Sequence, residues 1–122
     1  MKRITILLSV TLVVLAACTS APEIKGFDFE AWRADRNACQ GIRDTMQTNL
    51  ERIRPQLKGI SDRHLMQLLG KPDRNELDER NRKYITYFIS AGNQCDPKAA
   101  ALGKRIKFSS SAMGIISEAI IE

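Results

Sequence analysis

The chain predicts an α+β domain in which two N-terminal helices pack on one face of a three- to four-stranded antiparallel sheet. Three observations carry that prediction. Apolar residues recur at helical spacing from Phe29 to Leu57, and a short capped helix follows between Ile60 and Asp73. Beyond Pro72 the period changes to β-branched and aromatic alternation. Helices first and strands afterwards, in close succession, is the order expected of helices layered on one side of a meander.

The first helix is predicted from Phe29, Trp32, Cys39, Ile42, Met46, Leu50, Ile53 and Leu57, which fall on one stripe. Asp28 is its expected N-cap, because a short carboxylate accepts from the unpaired first-turn N–H groups. The opposite face carries Arg33, Arg36, Asn37, Gln40, Arg43, Asp44, Gln47 and Arg54, and reads as solvated. Gly41 weakens the helix locally, and Pro55 ends or kinks it near Arg54.

Ile60 to Asp73 is the most legible stretch. Ser61 caps the second helix, Ile60 can staple onto Leu65, and Leu65, Leu68 and Leu69 make the apolar face. Gly70 supplies the left-handed exit and Pro72 forbids continuation. A helix this short is unstable alone and must pack on a neighbour. The polar run Arg74–Arg82 can hold a short edge strand around Glu76 and Leu77. Lys83–Ser90 reads as a central strand with Ile85, Tyr87 and Ile89 on one face and Tyr84, Thr86 and Phe88 on the other. Ala91–Pro97 is a loop. Leu102–Ser109 alternates, with Leu102, Ile106 and Phe108 inward and Arg105 and Lys107 outward. After a turn at Ser110–Gly114, Ile115–Ile121 pairs back as the last strand.

The amino terminus is of another kind. Lys2 and Arg3 precede an apolar run from Ile4 to Ala17, which describes a secretory signal, too short for a comfortable membrane-spanning helix of ~20 residues. Leu15-Ala16-Ala17-Cys18 resembles a bacterial lipobox. That resemblance implies cleavage before Cys18, a thioether-linked diacylglycerol on its sulfur and acylation of the new amino terminus. The expected organisation is a signal at 1–17, a lipidated tether at 18–26 and a single domain at 27–122. Thr19–Gly26 has no helical or strand period and spans roughly 15 Å as a flexible coil. With Cys18 committed to lipid, Cys39 and Cys95 remain. Two thiols in an oxidising compartment, with no metal or redox spacing around them, suggest a disulfide; two buried free thiols are the alternative.

The capped helix closing on Leu68-Leu69-Gly70-Lys71-Pro72-Asp73, the strand Tyr84–Ile89, and Ile106-Lys107-Phe108 with Gly114-Ile115-Ile116 after the turn together resemble the BamE/SmpA-like lipoproteins. The likeness covers residues 60–120. It implies a BamE-like fold on the periplasmic side of the outer membrane, and a non-catalytic role in assembling outer-membrane β-barrels. Thr19 and Ser20 are neutral, so by the family's sorting rule retention at the inner membrane is not signalled. This chain departs from the family's best-known members in its long Trp- and Cys-bearing first helix and in its Cys39/Cys95 pair.

Composition narrows the function further. A formal net charge of +5 is mild, and Lys2 and Arg3 leave with the signal, so nucleic acid is not an expected partner. His64 is the single histidine. Ser61 before it suggests a nucleophile and base, but Ser61 is better explained as an N-cap, leaving His64 solvated in the first turn. One histidine with both thiols engaged makes no zinc site. Asp73, Glu76, Asp78 and Glu79 are interleaved with Arg74, Arg80 and Arg82, and read as a mixed-charge solvated loop rather than a general acid–base pair. No cofactor, metal or small-molecule site is expected. Lys83, Lys104, Arg105 and Lys107, with Arg82, are the candidates for contact with an acidic partner or anionic headgroups. The expected function is therefore a lipid-anchored, non-catalytic, protein-binding accessory at the outer membrane. The alternative is a small lipoprotein inhibitor of a hydrolase such as a lysozyme or β-lactamase, with Ala91–Pro97 as the inserting loop.

Overall fold

A computed structural model describes residues 20–122. The signal, Cys18 and the first tether residue lie outside the described residues. The chain is α+β: helices come first and an antiparallel four-stranded meander follows, in the spatial order β1-β2-β3-β4. The helices are α1 (Phe29–Ala34), α2 (Ile42–Thr45), α3 (Gln47–Ile53) and α4 (Asp62–Leu69). The strands are β1 (Arg74–Leu77), β2 (Lys83–Phe88), β3 (Arg105–Ser110) and β4 (Ile116–Ile121).

The single long helix expected over Phe29–Leu57 is broken into pieces, and the cause is local. Asp28 does cap the start, its Oδ1 accepting from Ala31 N–H at 3.0 Å. After Ala34, however, the Asp35 carboxylate takes over backbone donors, accepting from Gln40 N–H at 2.9 Å and Arg43 N–H at 3.0 Å. Asn37, Ala38 and Gly41 turn through left-handed φ values of 61°, 56° and 78°, which no α-helix contains. The stripe therefore does not stay together. Trp32, Met46, Leu50, Ile53 and Leu57 reach the core, whereas Ile42 is 36% exposed and Cys39 faces solvent. Arg43, read as solvated, is instead buried at 1%.

Elsewhere the expected grammar holds. Ser61 Oγ accepts from His64 N–H at 3.0 Å, and Gly70 closes α4 at φ 85°. Leu65 and Leu69 face inward with no exposure, while Leu68 is packed at the margin of the core. In the sheet, Ile85, Tyr87 and Ile89 meet Ile106 and Phe108, and Ile116 and Ala119 complete the layer under the helices. Burying each large apolar side chain contributes about 1.5–3 kcal/mol, so this interlayer contact is the main stabilising term. Strand boundaries differ from expectation: β2 ends at Phe88 rather than Ser90, and β3 runs on to Ser110, where the turn was expected to begin. β3 begins at Arg105 rather than Leu102, and ahead of it Gly92 and Gly103 lie too close for any side chain between them. Ile115 precedes β4 and forms an isolated bridge with Ser61. A bulge between Ser109 and Ser110 shifts the β3–β4 register there.

Candidate interaction face

One face of the sheet is covered by helices and the other looks outward. Strand parity assigns Tyr84, Thr86 and Phe88 of β2, Arg105, Lys107 and Ser109 of β3, and Glu118 and Ile120 of β4 to the outer face. Tyr84 is its centre. Lys107 Nζ lies 4.5 Å from the centroid of the Tyr84 ring, and Arg82 Cζ lies 5.9 Å from it. Both distances are within cation–π range. Around this group the surface forms a depression of about 480 Å³, lined among others by Arg80, Ser109, Ser117 and Glu118. Among the described residues Arg80, Lys107 and Glu118, which all line the depression, have no ion-pair partner.

The β1–β2 turn is what presents Arg82. Asp78 Oδ1 accepts from Arg80 N–H and Arg82 N–H at 2.9 Å each, and Arg82 Nε donates to Asp78 Oδ2 at 2.7 Å. These donors, the Arg82 N–H foremost, hold the Asp78 carboxyl below the usual carboxylate range, and the carboxylate in turn raises the Arg82 guanidinium. Tyr84 Oη donates to Asp78 Oδ2 at 3.4 Å, a long contact on the same carboxylate. Phe88 is a different case. It sits on the outer face but is only 1% exposed, with Arg74 Cζ 5.3 Å from its ring centroid.

The four basic residues singled out in the sequence do not form one patch. Arg105 and Lys107 share the outer face, where Arg105 Nε approaches Glu122 Oε1 at 3.4 Å. Lys83 shares parity with Ile85 and turns to the helices, pairing with Asp62 Oδ2 at 3.2 Å. Lys104 lies at the other end of the sheet and donates to Gln47 Oε1 at 2.9 Å. A strand reverses face at each residue, so adjacent basic residues along a chain are separated by the sheet itself.

Asp73 does not belong with the solvated carboxylates Glu76, Asp78 and Glu79, with which its spacing groups it: its side chain is fully buried against Arg43 at 2.6 Å. Asp73 Oδ2 also accepts from Phe88 N–H at 2.8 Å, and Oδ1 from Asn37 N–H at 3.1 Å. Arg43 Nε donates to Trp32 O at 2.9 Å, and Nη1 also to Phe88 O at 3.1 Å. Its guanidinium carbon lies 4.5 Å from the Trp32 ring centroid. Both charged groups are thus committed to structure. The signal that could have located Arg43 is its spacing from Asp35, whose carboxylate breaks the helix just ahead of it.

Cys39 and Cys95 form a disulfide across 56 positions. It fastens the loop after β2 to the left-handed turn. The same loop is held by Gln94, which donates to Asn37 O at 3.1 Å and Ser90 O at 2.8 Å and accepts from Gly103 N–H at 2.9 Å. Ser61 Oγ is engaged as a cap, and His64 is half-buried in the first turn of α4. Among the described residues there is no cluster of His, Cys, Asp and Glu suited to a metal, and no helix is long and apolar enough to cross a membrane. No protein-family model, curated protein or solved structure matches the chain.

Proposed function

We propose that the chain is a non-catalytic binding domain of the bacterial envelope, held at the membrane by lipid on Cys18 and related in role to the BamE-like accessories. The run Leu15-Ala16-Ala17-Cys18, behind a basic head and an apolar stretch and ahead of a tether, is the observation that carries this reading. The disulfide agrees with it, since small exported domains are commonly stapled in that way. The outer sheet face supports the binding role. Tyr84 offers a half-buried ring, Lys107 a cation stacked on it without an ion-pair partner among the described residues, and Ile120 an apolar edge that is 46% exposed. Tyr84 with Arg82 over its ring supplies the residue types enriched in interaction hot spots.

The test is a crosslinked pull-down of the chain from its own envelope, with metabolic fatty-acid labelling as a second readout. Fatty-acid label on the wild type, lost in Cys18→Ser, together with capture of β-barrel assembly proteins that weakens in Tyr84→Ala and Lys107→Glu, supports the proposal. Absence of label sinks the anchor. Capture of a single hydrolase assigns the chain instead to the inhibitors.

A further inference from the structure

β4 is the last strand of the sheet, so one side of its backbone has no named strand beside it. Arg105 and Glu122 exchange both backbone hydrogen bonds at 2.9 Å, which makes them a closely bonded antiparallel pair. Alternation along the ladder then turns the N–H and C=O of Ile120 inward to Lys107, and those of Ala119 and Ile121 outward. Nearer its start, the chain already uses this edge. Ile116 N–H donates to Ile60 O at 2.8 Å, and Ile116 O accepts from Gly59 N–H at 2.7 Å. This covering segment ends where the backbone leaves at Lys58 for the 3-10 turn Arg54–Leu57. Between that turn and Glu118–Ile121 runs a groove of about 320 Å³. Arg54 and Lys58 stand on its far wall, and neither makes an ion pair with a described residue.

We propose that the free part of the β4 edge takes an extended segment of a partner protein by strand addition, and that this segment alternates acidic and apolar side chains. Strand geometry sets the alternation. A strand laid beside Ala119 and Ile121 puts every second side chain on the helix side, against Arg54 and Lys58, and the ones between on the outer face beside Ile120. Carboxylates suit the first set and β-branched apolar side chains the second. Glu118 also borders the groove, but it shares the face of Ile120. It therefore repels acidic residues from the outer side and reinforces the same register.

The experiment titrates a short fluorescent peptide alternating glutamate and valine against the full chain in detergent micelles. Beside it run a peptide of the same composition in blocks, and one alternating lysine and valine. The glutamate–valine alternator alone binds, and the Ala119 and Ile121 amides become protected from hydrogen exchange. Arg54→Glu with Lys58→Glu weakens binding by about tenfold, as expected of two exposed ion pairs. Ala119→Pro removes an outward N–H without touching the ladder to β3 and abolishes binding. Should that variant fail to fold, N-methylation of the peptide along the edge it presents gives the same loss with the wild-type chain. No binding, equal binding of all three peptides, or binding without protection at Ala119 and Ile121 overturns the proposal. Protection of those amides in the free chain, accompanied by dimers in sedimentation, gives the edge to a second copy and equally overturns it.

Discussion

Arg43 and Asp73, thirty positions apart, meet at 2.6 Å with side-chain exposures of 1% and 0%. The pair joins the helical layer to the sheet from inside, since Asp73 also takes the Phe88 N–H and Arg43 also bonds the carbonyls of Trp32 and Phe88. A buried ion pair is expensive to desolvate, and what holds it here is the number of hydrogen bonds closed around it.

Arg43→Met is expected to cost about 3–5 kcal/mol in denaturant unfolding, because it strands the Asp73 carboxylate in the interior. Adding Asp73→Asn to it recovers part of that loss. A double variant as destabilised as the sum of the single ones would show that the two side chains are not coupled.

Gly41 separates two readings of the first helical region. In a continuous helix, Gly41→Ala would stabilise by roughly 0.5–1 kcal/mol. With φ at 78°, and open space around the added Cβ, the same change is expected to destabilise by about 1 kcal/mol. The sign of the shift in thermal midpoint decides it.

Reduction of Cys39–Cys95, or Cys39→Ser with Cys95→Ser, is expected to remove about 4 kcal/mol for a loop of 56 positions in the chain-entropy model. Equilibrium unfolding with and without dithiothreitol measures it. The double variant is expected to be insensitive to reductant.

Tyr87 controls the alkaline limb of stability. Burial raises its phenol above the ordinary value of 10.0, the neighbouring Asp73 charge adds to that, and Arg43 opposes it. The neutral phenol is the form the fold retains, so this stabilisation is complete below pH 10 and is lost as pH rises through the folded value. Tyr87 Oη also donates to Gly70 O at 2.6 Å. Tyr87→Phe is therefore expected to cost about 1 kcal/mol at neutral pH and to flatten the loss at high pH. Phenolate absorbance followed beside circular dichroism checks both.

Asp78 acts at the other end of the scale. Its folded carboxyl lies below the ordinary 3.8, so the turn it organises is fully supported above that pH and weakens as pH falls through the folded value. Asp78→Asn is expected to reduce the acid dependence of local exchange at the Arg80 and Arg82 amides. An unchanged profile would mean that the carboxylate does not hold the turn.

Much of the fold was legible because it rests on local rules. Ser61, Gly70 and Pro72 delimit α4 by hydrogen-bond chemistry and backbone geometry confined to a few positions. Strand β3 follows from alternation, and β2 from its β-branched and aromatic run, although both its faces are buried from Ile85 to Phe88. The Cys39–Cys95 bond agrees with the pairing expected of two thiols in an oxidising compartment, which spacing alone does not establish. The outer face was half legible. Parity placed Arg105 and Lys107 together, but it could not show that Lys83 answers to Asp62 and Lys104 to Gln47.

What remained hidden depends on partners distant in the chain. Periodicity counts apolar residues and treats charges as solvated, so Arg43 and Asp73 were assigned to water, where isolated charges belong. Folding brings them to within 2.6 Å and surrounds them with backbone donors and acceptors, and the cost of burial is then met by bonds no local window contains. The broken helix has the same origin. Asp35 captures backbone N–H groups that a helix would otherwise use, and the turn it makes is held from the far side by Asp73 and Cys95. Local order along the chain therefore specified helices, strands and caps. Tertiary closure decided which charges went inside, which edge stayed open, and where the first helix had to end.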